Sequence, residues 1–349
     1  MHIFDLKEHN LITGRGATAI YLLLKTHRLN GKHVYVPANI CYAAVYPILY
    51  AGYTPVFLDV DIETGNLDVD SIREIVCMDK EAGAVIVAHM WGNPNRLIEE
   101  IAGICHSHNI LLIEDCASAM GAAVSGKNVG TFGDYVIYST GYSKTIDVGY
   151  GGILSSSEPL DNETALNDSL PIYSKNVDAD ENFFSKIYRL IRNSSGQSIS
   201  PWIFRGIQNH LQHMFLFRLS EVQINQIESK IRELPGVILQ RRKCLEQYRE
   251  KLGCPEHVKP FNYEEGAVPW RFNIFVDRNM RRPLIDALLA KHLPVSDWYP
   301  SVAPIFGNTE TFPNTEYFSD RILNFPIPLT EKEINDICIA IKVFCASHA

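Results

Sequence analysis

The chain has 349 residues, 46% of them hydrophobic and 21% charged, with a formal net charge of −8. That length supports a large core divided into two domains, and the composition is that of a folded chain rather than a disordered one. The acidic balance argues against a nucleic-acid partner, and no run of 18 apolar residues marks a membrane span. The N-terminus carries acids and lacks a hydrophobic signal stretch, so secretion is not indicated. Eight scattered cysteines, none at Cys-x-x-Cys spacing, read as free thiols in a reducing compartment; a cytoplasmic protein without a metal site is expected.

In chain order, apolar runs at 33–36, 55–58, 84–88, 110–113, 135–138 and 152–154 read as strands. Helical patterns fall between the early ones at 17–28, 41–51, 70–77 and 96–108. Strands that are continuously apolar, separated by helices long enough for crossovers, predict an α/β domain with a mainly parallel sheet covered on both faces. Residues 155–180 are polar and 194–202 serine-rich, so 155–202 is expected to be a polar connecting region. A helix is predicted at 219–234, stopped by Pro235-Gly236, and a second at 241–252. A strand at 270–276, a helix at 282–292, and a Thr330-to-Glu333 capping box ahead of Ile334, Ile337 and Ile341 complete a smaller α+β unit. The expected division is a large domain at 1–225 and a small C-terminal domain at 226–349.

Two segments carry chemistry. The loop at 141–152 holds Lys144 among Gly141, Gly149, Gly151 and Gly152, which permit tight turns and close backbone approach. The strand ending in Glu114-Asp115 places a carboxylate at the C-terminal edge of a parallel sheet, where ligands bind in open α/β folds. Together they offer an amine that can condense with an aldehyde and a carboxylate that can keep a pyridine nitrogen protonated, the two needs of pyridoxal phosphate chemistry. A solvated surface lysine and a helix N-cap aspartate are the plainer alternatives. Small residues from Thr13 to Ala19 open a helix whose first N–H groups suit an anion, although the segment matches neither common nucleotide-binding glycine motif. An ordinary loop-to-helix turn is the alternative there.

The combination resembles the DegT/DnrJ/EryC1/StrS aminotransferases. It rests on Glu114-Asp115-Cys116-Ala117-Ser118, Gly130-Thr131-Phe132-Gly133-Asp134, Ser139, and Ser143-Lys144 running to Gly151-Gly152, with further matches at Val36-Pro37-Ala38-Asn39 and His89-Met90-Trp91-Gly92. The resemblance implies an aspartate-aminotransferase-like fold of type I. It also implies pyridoxal 5'-phosphate as cofactor and transamination of a keto group on a nucleotide-linked sugar, with glutamate or glutamine as donor. By position, Lys144 is the lysine that joins the cofactor and Asp115 the partner of the pyridine nitrogen. Gly16, Ala17 and Ser139 would hold the phosphate. His89, Arg218, Trp298 and Tyr299 are expected on the substrate side. The small-molecule donor and acceptor would meet in a homodimer with shared active sites, with no role for nucleic acid or membrane.

This chain departs from the family pattern at several positions. Cys41, followed by Tyr42, stands where an aromatic residue usually stacks on the cofactor, and Ser118 stands where a glutamine or histidine usually contacts it. Leu216 replaces an asparagine, and Thr140-Gly141 replaces Phe-His. Two other readings therefore accompany the first: an aminotransferase for a non-sugar ketone or cyclitol, and a catalytically inactive binding or regulatory protein of the same fold. The retained Lys144 favours transamination over the dehydration carried out by relatives with histidine there.

Overall fold

The computed structural model describes residues 6–174, 176–193 and 208–348. Its centre is a seven-stranded sheet in the order β1-β9-β8-β5-β4-β2-β3. The strands are β1 (His9–Thr13), β2 (His33–Pro37), β3 (Thr54–Leu58), β4 (Ala82–Ala88), β5 (Leu111–Asp115), β8 (Tyr135–Ser139) and β9 (Gly152–Ser156). The five from β8 to β3 are mutually parallel, whereas β9 runs antiparallel to both β8 and β1. β4 and β9 are buried along their whole length, the result of burying both faces with few polar positions. Strand β1 and the small hairpin of β6 (Ala123–Val124) and β7 (Lys127–Asn128) were not among the predicted elements.

The helices between strands are α1 (Gly16–Thr26), α2 (Tyr42–Ala51), α3 (Val69–Met78) and α4 (Ile98–Ser107). α1 buries seven of its side chains, from Ala17 round to Leu24, because it lies against both the sheet and α2. The sequence 155–202 is not merely connection: it forms α5 (Asp161–Ser169) and α6 (Asn176–Asn193). α6 is polar overall yet buries Val177, Phe184 and Tyr188, spaced to share one face, a pattern easily lost in a charged segment. The serine-rich stretch at 194–202 lies outside the described residues.

After the short helix α7 (Gln212–Phe215), helix α8 (Glu221–Ile231) ends before Pro235. Pro235-Gly236 does not stop that helix but opens the next, α9 (Leu234–Leu252), since proline is tolerated in a first turn where its missing N–H is not needed. A three-stranded antiparallel sheet follows, made of β10 (Val258–Pro260), β11 (Phe272–Val276) and β12 (Ile322–Phe325). It is flanked by α10 (Arg278–Ala290), α11 (Pro313–Arg321) and α12 (Glu331–Ala346), the last opened by the expected Thr330–Glu333 capping box. One hydrophobic cluster runs from Ala17 in α1 to Cys345 in α12, so both sheets share a continuous core. Among the described residues no helix is long and apolar enough to cross a membrane.

Candidate active site

The register of the large sheet gathers the functional side chains at one edge. Gly152 stands opposite both Thr13 and Ser139, so the end of β1, the end of β8 and the end of the glycine-rich loop meet in one row. Two glycines make this possible. A Cβ on Gly152 would fall 2.3 Å from the carbonyl carbon of Arg15, and one on Gly151, whose φ is +97°, would fall 2.3 Å from Thr140 Oγ1. The first turn of α1 is thereby pressed against Ser139, whose Oγ accepts from the Gly141 N–H at 3.3 Å. Parallel pairing sets Ala88 beside Asp115, so β4 and β5 also end at this edge.

The Lys144 loop is braced at several points. Asp147 accepts from the Ser143 and Gly149 N–H groups at 2.7 and 2.9 Å. From the other side, Trp270 Nε1 donates to the Ser143 carbonyl at 2.6 Å and an Arg241 Nη donates to the Lys144 carbonyl at 3.0 Å. Lys144 Nζ donates to Ser118 Oγ at 3.2 Å. It lines a cavity of about 190 Å³ together with Gly16, Ala17, Asp115, Ser139 and Cys41. Lys144, Asp115 and the α1 terminus, read separately in the sequence, therefore surround one space.

Asp115 accepts from the Ala117 N–H at 2.9 Å. Burial raises its pKa above the ordinary 3.8, against the opposing pull of that N–H, Lys144 and His89. Its neighbour Glu114 is a different case. Its carboxylate accepts from Gly130, Phe132 and Gly133 N–H groups at 2.6 to 2.7 Å, and His89 Nε2 lies 3.1 Å away. Burial pushes Glu114 up, but His89 and these amides outweigh it and leave the pKa lowered from 4.5. His89 Nδ1 accepts from the Asn95 N–H at 3.0 Å, which leaves Nε2 to donate to Glu114.

The other expected site residues divide into three groups. Cys41 and Tyr42 both line the cavity; the Tyr42 ring packs on Tyr188 at 4.7 Å and Phe184 at 5.4 Å. Burial raises the Cys41 thiol pKa against the opposing charge of Lys144. Tyr299 lines the same cavity, and Ser118 and His89 line a smaller recess of about 40 Å³ beside Asp115 and Lys144. Trp298 and Arg218 are not on the cavity wall. Trp298 stacks on Tyr188 at 5.7 Å and its carbonyl accepts from Trp91, while Arg218 Nε donates to the Leu170 carbonyl at 3.2 Å.

Among the wall residues missed by sequence reasoning are Arg15, Glu181 and Trp270. Arg15 forms a two-pronged ion pair with Glu181 of α6. A cation just before a helix-opening glycine was the available signal for Arg15, whereas nothing local singles out Glu181.

The cavity fits pyridoxal phosphate. It offers helix N–H groups and a hydroxyl at one side, a carboxylate at its edge and a primary amine within it. The sequence profile of the DegT/DnrJ/EryC1/StrS aminotransferase family matches residues 4–342. The chain is 25% identical over 347 residues to GDP-perosamine synthase of Vibrio cholerae, covering 96% of this chain and 86% of that protein. It is 26% identical over 327 residues to dTDP-3-amino-3,6-dideoxy-alpha-D-galactopyranose transaminase of Aneurinibacillus thermoaerophilus, covering 91% and 80%. Its fold is shared with Helicobacter pylori PseC, an aminotransferase involved in the biosynthesis of pseudoaminic acid, at a TM-score of 0.78 and 16% identity over 98% of this chain and 88% of that one. The chain belongs to the DegT/DnrJ/EryC1/StrS aminotransferase family, and it is a pyridoxal-phosphate-dependent aminotransferase.

Proposed function

We propose that the protein transfers an amino group from glutamate or glutamine to a keto group on a nucleotide-linked sugar. The observation that carries this reading is the convergence of Lys144, Asp115 and the α1 N-terminus on one cavity. Two relatives matched over most of their length carry names of nucleotide-sugar aminating enzymes, which supports the sugar as acceptor.

When bound, pyridoxal phosphate supplies an aldehyde that takes up the amino group and a ring that accepts electrons as the α proton leaves. Lys144 would hold that aldehyde, and its amine would serve as the base that takes a proton from the donor carbon and the acid that returns one to the acceptor. Asp115 sits where a carboxylate keeps the ring nitrogen protonated; burial makes its charge costly alone and well matched to a cation. The Gly16 and Ala17 N–H groups and the Ser139 hydroxyl would receive the phosphate, with the helix dipole behind them. Cys41 and Tyr42, on the cavity wall, would border the ring, and Ser118 orients the Lys144 amine through the 3.2 Å contact. Tyr299 and His89 lie toward the substrate.

Arg218 and Trp298, off the wall of their own cavity, would act in a homodimer whose subunits complete each other's sites. We assign residues 1–225 to a cofactor-binding domain and 226–349 to a small domain, with α8 linking them. All eight cysteines are free thiols, in keeping with a cytoplasmic setting.

The test is a panel of nucleotide-linked keto sugars with glutamate as donor, followed by 2-oxoglutarate formation. Turnover of at least one sugar is expected. Turnover only of non-sugar ketones or cyclitols would move the acceptor class, and conversion of no acceptor by any donor would leave a binding protein.

A further inference from the structure

The recess of about 40 Å³ adjoins the Lys144 cavity: Cys41, Asp115, Ala117, Lys144 and Tyr299 border both spaces. Ser118 borders the recess, and Lys144 Nζ donates to its Oγ at 3.2 Å. The Tyr299 hydroxyl hydrogen-bonds Ser118 as well. Burial raises the Tyr299 pKa, so the phenol stays protonated and neutral beside the amine.

Tyr299 has little freedom to move. It is 9% exposed, its ring stacks on Trp270 at 5.5 Å, and Trp298 is tilted against it at 5.5 Å. The loop that carries it is tied to β12. Ser296 and Asn324 exchange backbone hydrogen bonds at 3.0 and 2.7 Å, and the Trp298 N–H donates to Asn324 Oδ1 at 2.6 Å. Asn324 Nδ2 in turn donates to Asn273 Oδ1 of β11 at 2.9 Å, with both asparagines fully buried. The small antiparallel sheet thus fixes where the phenol oxygen lies.

That rigidity matters because the lysine side chain has many rotatable bonds and a serine hydroxyl turns about its own, so one contact between them holds the amine loosely. A second hydrogen bond, to a group that cannot move, orients the Ser118 oxygen and through it the amine. We propose that Tyr299 is a positioning residue for Lys144 that acts through Ser118, setting the direction from which the Lys144 amine meets the cofactor aldehyde. The role is separate from any contact of Tyr299 with substrate, because the effect of losing the phenol must pass through Ser118. It rests on Lys144 as the lysine that joins the cofactor and not on which acceptor the enzyme uses.

The experiment is stopped-flow capture of pyridoxal phosphate by the cofactor-free full chain, in which the neutral amine nitrogen adds to the aldehyde carbon and the aldehyde oxygen leaves as water. Rates are compared for wild type, Tyr299→Phe, Ser118→Ala and the double variant. Binding of 4-deoxypyridoxine phosphate, which lacks the aldehyde, is measured for wild type and Tyr299→Phe. Tyr299→Phe keeps the stacked ring and should slow capture by about fivefold, Ser118→Ala by about fivefold to tenfold, and the double variant by no more than Ser118→Ala alone. Affinity for the aldehyde-free analogue should be unchanged in Tyr299→Phe. Effects that multiply in the double variant would mean that Tyr299 acts apart from Ser118 and would overturn the proposal. So would an unchanged capture rate in Tyr299→Phe, or a matching loss of affinity for the analogue, the mark of a residue that only shapes the wall. A wild type that captures no cofactor on Lys144 would overturn the assignment of that lysine, and this proposal with it.

Discussion

Glu114 and Asp115 are consecutive residues at the end of one strand, yet they do opposite work. The twofold alternation of a strand turns them to different faces. Glu114 meets three backbone N–H groups and the His89 ring, which hold it ionised inside the protein. Asp115 meets the Ala117 N–H and opens on the cavity that holds Lys144. A buried carboxylate that is fully supplied with donors is architecture, fixing the loop at 130–133 against the sheet. One that is undersupplied, with its pKa raised by burial, weakens the empty protein and is ready for a cationic ligand.

Substitutions on the two sides should separate stability from turnover. The largest effect is expected on the cavity side: Lys144→Ala should lower kcat by about 10⁴-fold or more while leaving the unfolding midpoint near wild type, since it removes a proton carrier and not a packed group. An equal loss of stability would erase the distinction. On the other side, Glu114→Gln places amide hydrogens against backbone donors. A loss of about 3 kcal/mol in denaturant unfolding is predicted, accompanied by reduced activity only through the folded fraction.

Asp115→Asn should do the reverse. The cofactor-free protein should gain up to about 1 kcal/mol, because a charge that burial disfavours is removed, while kcat falls by about a hundredfold or more.

The same contrast has a pH signature with opposite signs. Glu114 has a lowered pKa, so its stabilisation is present above 4.5 and is lost as pH falls through its folded value. Asp115 has a raised pKa; the associated stability is present below 3.8 and is lost as pH rises through the folded value. Thermal unfolding of the cofactor-free proteins should thus find Glu114→Gln less stable and Asp115→Asn more stable than wild type at neutral pH, with both differences shrinking in acid. The smallest change is expected for Ser118→Ala, which loses one hydrogen bond to Lys144. A fall in kcat of no more than about tenfold, with little change in stability, sharpens the assignment of Ser118 as a positioning group.

Much of this was legible in the sequence because it depends on order along the chain. Continuous apolar strands alternating with helices specify the parallel sheet, and strand-terminal acids and glycine-rich turns then fall at its C-terminal edge. The Lys144 loop and Asp115 could be placed there without knowing the neighbours of either. Residues that act through long-range contact were not legible: Glu181 reaches Arg15 from a helix hidden in a polar segment, and Trp270 enters the cavity wall from beyond α9. Trp298 was expected at the site from its type; its ring stacks on Tyr188, off the cavity wall of its own subunit. The start of α9 was misplaced because Pro235-Gly236 fits a helix end and a first turn equally well until the backbone is seen.

The most direct test of the central claim is borohydride reduction of the protein after incubation with pyridoxal phosphate, followed by peptide mass mapping. Stoichiometric modification of the peptide containing Lys144, absent in Lys144→Ala, is the predicted result. Stoichiometric modification of another lysine, or labelling that survives in Lys144→Ala, would contradict the assignment of Lys144 as the residue that carries the cofactor.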